Sequence, residues 1–291
     1  MQATKTDVLR VPGASLHYEV RGAGPALLLI CGGVYDADGY APLAQHLGQS
    51  YTVVTYDRRG NSRSALEGPP GPQSIEVHAD DAHRVLSATG VGGDEPASVF
   101  GNSSGAMIGL ELAARHPDQV RTLVAHEPPL FELLPNREHW RAAIRNVEET
   151  FAREGAGAAM QALEAAFAAS GDRTADREGR VPGGEEAPQG EPDPETMAMM
   201  ARLQKNMEFF VGYEVPSFNS YVPDFSALSP AHIVIAVGEA SEGEAPYRAA
   251  FALAERLGTQ PEVFPGDHGG FGALPEAFAT KLHEVLSRVR P

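Results

Sequence analysis

Cysteine occurs once in these 291 residues, at Cys31. A disulfide framework within the chain is therefore excluded, and no cysteine-based zinc spacing exists. No run of about 18 apolar residues appears, so the sequence offers no membrane-spanning helix. The opening residues, MQATKTDVLRVPG, lack the apolar segment of a secretory signal, and a soluble, cytoplasmic protein is expected. Basic residues are also scarce: 23 Lys and Arg stand against 39 Asp and Glu, a formal net charge of −16. Such an acidic surface repels nucleic acid and anionic membranes, so neither is an expected partner. The motifs HExxH, the Walker loop and the dinucleotide fingerprint are all missing, so no metal and no cofactor is expected.

What is present is enough apolar sequence, 42%, for a sizeable core. Short apolar runs at 16–20, 26–30, 51–56, 97–100 and 121–125 read as strands. Helical spacing fills 38–47, 75–89 and 104–115 between them. This alternation predicts an α/β fold with a mostly parallel central sheet flanked by helices. It stops after His126 and resumes with a strand at 232–237, a helix at 245–257, a strand at 262–264 and a helix at 275–289. The chain therefore reads as a core, 1–129 and 226–291, interrupted by a helical insertion at 130–225. Within the insertion, 138–169 reads as one or two helices and 195–210 as another. Residues 171–194, acidic and rich in Gly and Pro, read as a mobile loop.

The sharpest motif is Gly101-Asn102-Ser103-Ser104-Gly105, a G-x-S-x-G placed between a strand and a helix. That context puts a serine on a tight turn with its oxygen exposed above the sheet, and makes Ser103 the expected nucleophile. The following helix N-terminus aims amide groups at developing negative charge. Ser104 is accordingly expected to supply a backbone N–H to an oxyanion hole. The second donor should come from the loop after the 26–30 strand, Cys31-Gly32-Gly33-Val34. Register points to Gly33, with Val34 as the fallback, and Gly32 and Val34 are expected beside substrate. Cys31 reads as a small buried residue at a strand end.

Of the ten histidines, His268 lies in a glycine-flanked loop after the last strand, where the general base belongs in this chain order. A neutral imidazole with a pKa near about 6.5 takes the serine proton and returns it to a leaving group. The orienting acid is open between two places. After the 232–237 strand, Ser241 stands at the usual Asp position, leaving Glu239 and Glu242. After the 121–125 strand stands Glu127, followed by Pro128 and Pro129. Glu127 is favoured, because sites of open α/β sheets lie at the carboxyl ends of adjacent strands.

Tyr56-Asp57-Arg58-Arg59-Gly60-Asn61-Ser62, the serine turn, Ala114-Arg115-His116-Pro117 and Gly266-Asp267-His268, in that order, resemble the α/β-hydrolase superfamily. Gly101-x-Ser103-Ser104-Gly105-Ala106 with His126-Glu127-x-Pro129 resembles the zearalenone lactonase group within it. The resemblance implies a Ser–Glu–His triad with Glu127 as its acid, a helical cap inserted after the sixth strand of the fold, and hydrolysis of an ester or lactone through an acyl-enzyme. The insertion departs from that group in its acidic 171–194 loop. Its apolar residues, among them Leu130, Phe131, Trp140, Met197, Met199, Met200 and Phe210, suggest an apolar substrate of medium size, although most of them equally serve to pack the cap on the core; Trp140 reads either as a substrate contact or as such packing. Carbon–carbon bond hydrolysis, cofactor-free oxygenation and simple small-molecule binding are the alternative functions on this fold. The expected partner is a small-molecule ester or lactone, and a homodimer is compatible with the sequence.

Overall fold

The computed structural model describes residues 4–90, 95–170 and 194–288. Among the described residues, nine strands form one sheet: β1 (Lys5–Val11), β2 (Ala14–Gly22), β3 (Ala26–Ile30), β4 (Thr52–Tyr56), β5 (Ala65–Leu66), β6 (Ala97–Asn102), β7 (Val120–His126), β8 (Ile233–Gly238) and β9 (Glu262–Phe264). The spatial order is β1-β2-β4-β3-β6-β7-β8-β9, with β5 beside β2. β1 pairs antiparallel with β2, and β2 with β4; every pairing from β4 through β9 is parallel. β1 was not anticipated. Its pattern is almost entirely exposed, so it carries no apolar alternation to read.

The parallel strands inside the sheet, β3, β4, β6, β7 and β8, are buried on both faces, which is why β3 reads ALLLI without a polar residue. Leu28 and Ile30 point into one core, shared with α2 (Ile75–Thr89) and α3 (Ser104–Arg115). Leu27 and Leu29 point into the other, shared with α1 (Ala41–Leu47) and with Phe278, Leu282 and Val285 of the last helix. The structure thus has the expected layers: helices on both faces of a mostly parallel sheet.

Between β7 and β8 the chain builds α4 (Arg137–Glu154), α5 (Ala156–Ala169), α6 (Pro194–Phe209) and the short α7 (Val215–Phe218). Gly155, at φ 84°, breaks the helical run expected over 138–169 into two. The 195–210 helix ends in an unforeseen π-helical turn, Phe210–Glu214, a feature frequent at functional sites. The mobile loop expected at 171–194 lies, up to residue 193, outside the described residues. The chain finishes with α8 (Ala245–Leu257), the single-turn α9 (Gly270–Ala273) and α10 (Pro275–Arg288). Among the described residues no helix is long and apolar enough to cross a membrane.

Candidate active site

β3 turns back to β4 on one side while β6 lies on its other side, so the connections leave β3 and β6 in opposite directions. The carboxyl ends of these neighbouring strands form the crevice where open α/β sheets bind ligands. Cys31–Val34 follows β3 there, and Ser103 follows β6.

Ser103 has φ 55° and ψ −126°, outside the regions a serine ordinarily occupies. The turn closes because its flanking glycines have no side chain. A Cβ on Gly105 would lie 2.2 Å from the Ile30 carbonyl oxygen, and one on Gly101 2.4 Å from that of Gly105. Ser103 N–H donates to the His126 carbonyl at 2.9 Å, tying the turn to the next strand. Non-glycine residues at positive φ are uncommon and cluster where structure over-determines them for function. Among the described residues there are three: Ser62, Ser103 and Glu127.

Glu127, at φ 46°, directly follows β7 and is fully buried. Its Oε2 lies 2.6 Å from His268 Nδ1, and its Oε1 accepts the Gly238 N–H at 2.8 Å. Burial raises its pKa, but the His268 hydrogen bond, the neighbouring histidines and the Gly238 amide outweigh it and lower the pKa to about 2. A carboxylate at this position holds the Nδ1 proton of His268, leaving the Nε2 lone pair for an adjacent hydroxyl. Ser103 and His268 line one cavity. Of the rival acids, Glu242 and Glu239 are exposed, and Glu239 Oε1 accepts the Gly266 amide at 3.2 Å. Asp267 turns its Oδ1 to the Gly269 amide.

His126, beside Glu127, is fully buried. Its Nδ1 accepts from Asn102 Nδ2 at 3.0 Å. Asn102 is a residue that sequence reasoning missed: the same Nδ2 also donates to the His268 carbonyl at 3.1 Å, joining the nucleophile turn to the histidine loop. The only hint was its place beside Ser103, in a motif position open to any residue. Burial pushes the His126 pKa down to about 4, against a smaller upward pull from Glu127. The unfolded chain therefore binds a proton that the folded chain refuses between about pH 6.5 and 4. His126 then costs stability progressively as pH falls through that window. The expected result is a shallower fall in Tm from pH 6.5 to 4 for His126→Gln than for wild type, read by circular dichroism. Parallel slopes would refute it.

The oxyanion loop departs from expectation. Gly33 N–H is not open to the cavity but donates to Ser104 Oγ at 2.9 Å. Gly32 packs on the nucleophile turn, where a Cβ would lie 2.8 Å from that of Ser103. Neither Gly32 nor Val34 is among the residues lining the cavity. Trp140 is not either. It is fully buried behind the lining, stacked on Phe131 at 4.1 Å and against Phe167 at 5.1 Å. It supports two lining rings rather than touching the cavity, because a large indole on the inner face of α4 has those rings as its nearest neighbours. Cys31 is buried, as read from the sequence, with Sγ 3.2 Å from the Asp36 carbonyl.

The cavity holds about 70 Å³ beside Ser103, Ser104 and His268, under a roof of Phe131, Ile144, Leu163, Phe167, Phe210 and Phe218. Phe131 and Phe210 were among the apolar residues singled out; Met197 and Met200 are exposed. A larger groove, about 720 Å³, lies between residues 134–136 and α8 and contains neither Ser103 nor His268. The smaller cavity is the one that brings the serine and the histidine together. Among the described residues no group of three or more His, Cys, Asp and Glu is placed to hold a metal ion.

Residues 25–220 match the model of the alpha/beta hydrolase fold family. The chain belongs to that family. It is 40% identical over 287 residues to a Bacillus subtilis (strain 168) protein named uncharacterized hydrolase YraK, covering 96% of this chain and 95% of that protein. The hydrolase also superposes on a thermophilic esterase from Thermogutta terrifontis with a TM-score of 0.69 at 20% identity, covering 99% and 100% of the two chains. The enol-lactonase from Burkholderia xenovorans LB400 gives 0.64 at 20% identity, over 97% and 100%. At such identities these two likenesses establish the fold of the hydrolase and nothing finer.

Proposed function

We propose that the hydrolase cleaves a carboxylic ester or lactone with an apolar acyl part, through an acyl-enzyme on Ser103. The observation that carries this reading is the 2.6 Å contact between His268 Nδ1 and the buried Glu127 carboxylate, beside a cavity that His268 shares with a strained serine. Ser103 Oγ attacks the carbonyl carbon while His268 Nε2 takes its proton. The tetrahedral intermediate collapses as His268 returns that proton to the leaving oxygen. Water then repeats the sequence against the acyl-serine and frees the acid. Glu127 keeps the imidazole tautomer and stabilises the imidazolium.

The oxyanion is received by the Ser104 N–H at the start of α3 and by the loop after β3. Because Ser104 Oγ occupies the Gly33 amide in the unliganded protein, that hydroxyl must rotate away before Gly33 can serve. Helices α4 to α7 act as a cap over the site. At about 70 Å³ the cavity is well below the roughly 300 Å³ of a drug-sized pocket. Short acyl esters suit it as it stands, whereas a zearalenone-type lactone requires the roof side chains to shift.

A fluorophosphonate probe, followed by peptide mapping, tests the serine mechanism. Covalent label on Ser103, with turnover of p-nitrophenyl butyrate, is the expected result. Label elsewhere or none would remove the reading. Zearalenone in the same assay tests the larger lactone separately.

A further inference from the structure

The roof is not held by apolar contact alone. The side of the cap formed by α6 and the π-helical turn places polar side chains on the loops that follow β3 and β4. Asn206, fully buried on α6, donates from Nδ2 to the Val34 carbonyl at 2.9 Å and to Ser62 Oγ at 2.8 Å. Its Oδ1 accepts the Ser62 N–H at 2.7 Å. Ser62 is one of the three strained residues, and its Oγ in turn donates to Asp36 at 2.7 Å. Eight residues on, Glu214 accepts from Arg58 Nη1 at 2.5 Å and from Asn61 Nδ2 at 3.1 Å, and all three side chains are completely buried. The other arm of Arg58 donates to the Gly33 carbonyl at 2.5 Å. Arg202, one turn before Asn206, reaches Asp38 at 2.9 Å.

Two consecutive carbonyls of the oxyanion loop, Gly33 and Val34, are thus each gripped by a group on the cap or bonded to it. A peptide unit is planar, so fixing the Gly33 carbonyl fixes the direction of the Val34 N–H joined to it, the fallback oxyanion donor, and anchors one side of Gly33, whose own N–H is the first. Gly33, at φ 54°, has no Cβ to restrict its backbone, so hydrogen bonds are what hold its conformation. A buried ion pair is a poor device for stability, since desolvating both charges offsets their attraction. It is a good device for direction, because a guanidinium fork has fixed geometry.

We propose that Asn206 and the Glu214–Arg58 pair are positioning residues for oxyanion stabilisation, so that the cap builds part of the catalytic machinery as well as covering it. This rests on the serine-hydrolase reading above. Oxyanion donors are worth about 10²–10³ in kcat, and a displacement of about 1 Å at a reacting group costs about 10². Loss of the grip therefore lowers kcat and leaves ground-state binding nearly intact.

The test uses Asn206→Leu and the double variant Arg58→Met with Glu214→Leu. The double variant removes both charges together, so neither is left buried and unpaired. It should fold, as far-ultraviolet circular dichroism and Tm will show, yet leave the Gly33 carbonyl without its donor. With p-nitrophenyl butyrate, each is expected to lose 10- to 100-fold in kcat, on the scale of a misplaced donor, with KM changed by less than about threefold. Affinity for a trifluoromethyl ketone, which forms a tetrahedral oxyanion on serine, should fall in parallel, while affinity for butyrate holds. Folded variants with kcat within about threefold of wild type, or with the loss confined to KM, would overturn the proposal. Ser103→Ala run alongside keeps the two readings apart. If it is inactive while both cap variants are normal, only the positioning role fails. If it is active, the serine mechanism fails first.

Discussion

Ser103→Ala is expected to lower kcat for p-nitrophenyl butyrate by about 10⁴- to 10⁶-fold, the range that loss of a serine nucleophile produces where the rest of the site survives. The substitution suits the turn. Alanine at φ 55° is strained as serine is, so the backbone demand is unchanged, and Ser103 Oγ contributes no hydrogen bond to the turn: the tie to His126 runs through the Ser103 N–H. Circular dichroism and Tm should match wild type, and the fluorophosphonate label should vanish. Ser104 is the neighbouring hydroxyl that could mislead. It faces the same cavity, but its oxygen accepts the Gly33 amide, and no described base other than His268 lines that cavity. Ser103→Ala that keeps more than about a tenth of wild-type kcat, a loss far below that of a removed nucleophile, would move the nucleophile away from Ser103. A label surviving on Ser104 would identify where it went.

The parts of this site that could be read from the sequence depend on local chain geometry. Gly101 and Gly105 announce the turn because no other residue fits against Ile30 and the start of α3. His268 announces itself by order and by its glycines. Glu127 could be preferred because a glutamate followed by Pro128 and Pro129 at a strand end is neither a cap nor a helix-surface charge. The structure then puts its carboxylate on His268 and leaves Glu242 exposed.

What escaped the sequence are the contacts between distant segments. Arg58 and Glu214 stand 156 residues apart, and each alone reads as an ordinary surface charge. Ile144, Leu163 and Phe167 face the cavity, yet in sequence they are the apolar stripe of amphipathic helices, indistinguishable from core. Trp140 stayed open for the same reason: sequence does not tell a ligand contact from a packing ring, and the structure places it behind the lining. For Gly33, spacing gives the loop but not the direction of the amide, which in the structure points to Ser104 Oγ.

Glu127→Gln is expected to cost about 10³- to 10⁴-fold in kcat, because an amide orients the imidazole in the wrong tautomer without disturbing the shape of the site. Glutamine can still accept the Gly238 amide through its oxygen, as Oε1 does now. Its NH₂ then faces His268 Nδ1, which must become the acceptor. The ring proton moves to Nε2, toward Ser103, where a lone pair is needed. Glu242→Gln, which changes an exposed side chain, should leave kcat near wild type. The two variants also differ in how their stability depends on pH. The Glu127 pKa is lowered to about 2 from a usual value near 4.5. Its carboxylate therefore adds stability that is fully present above about pH 4.5 and lost as pH falls toward 2. Glu127→Gln should be less stable than wild type at neutral pH and should converge with it in acid. Glu242→Gln should track wild type throughout. Near-normal kcat for Glu127→Gln, or a stability gap constant from pH 7 to 2, would mean that the short contact to His268 is structural. The base would then work without a carboxylate partner.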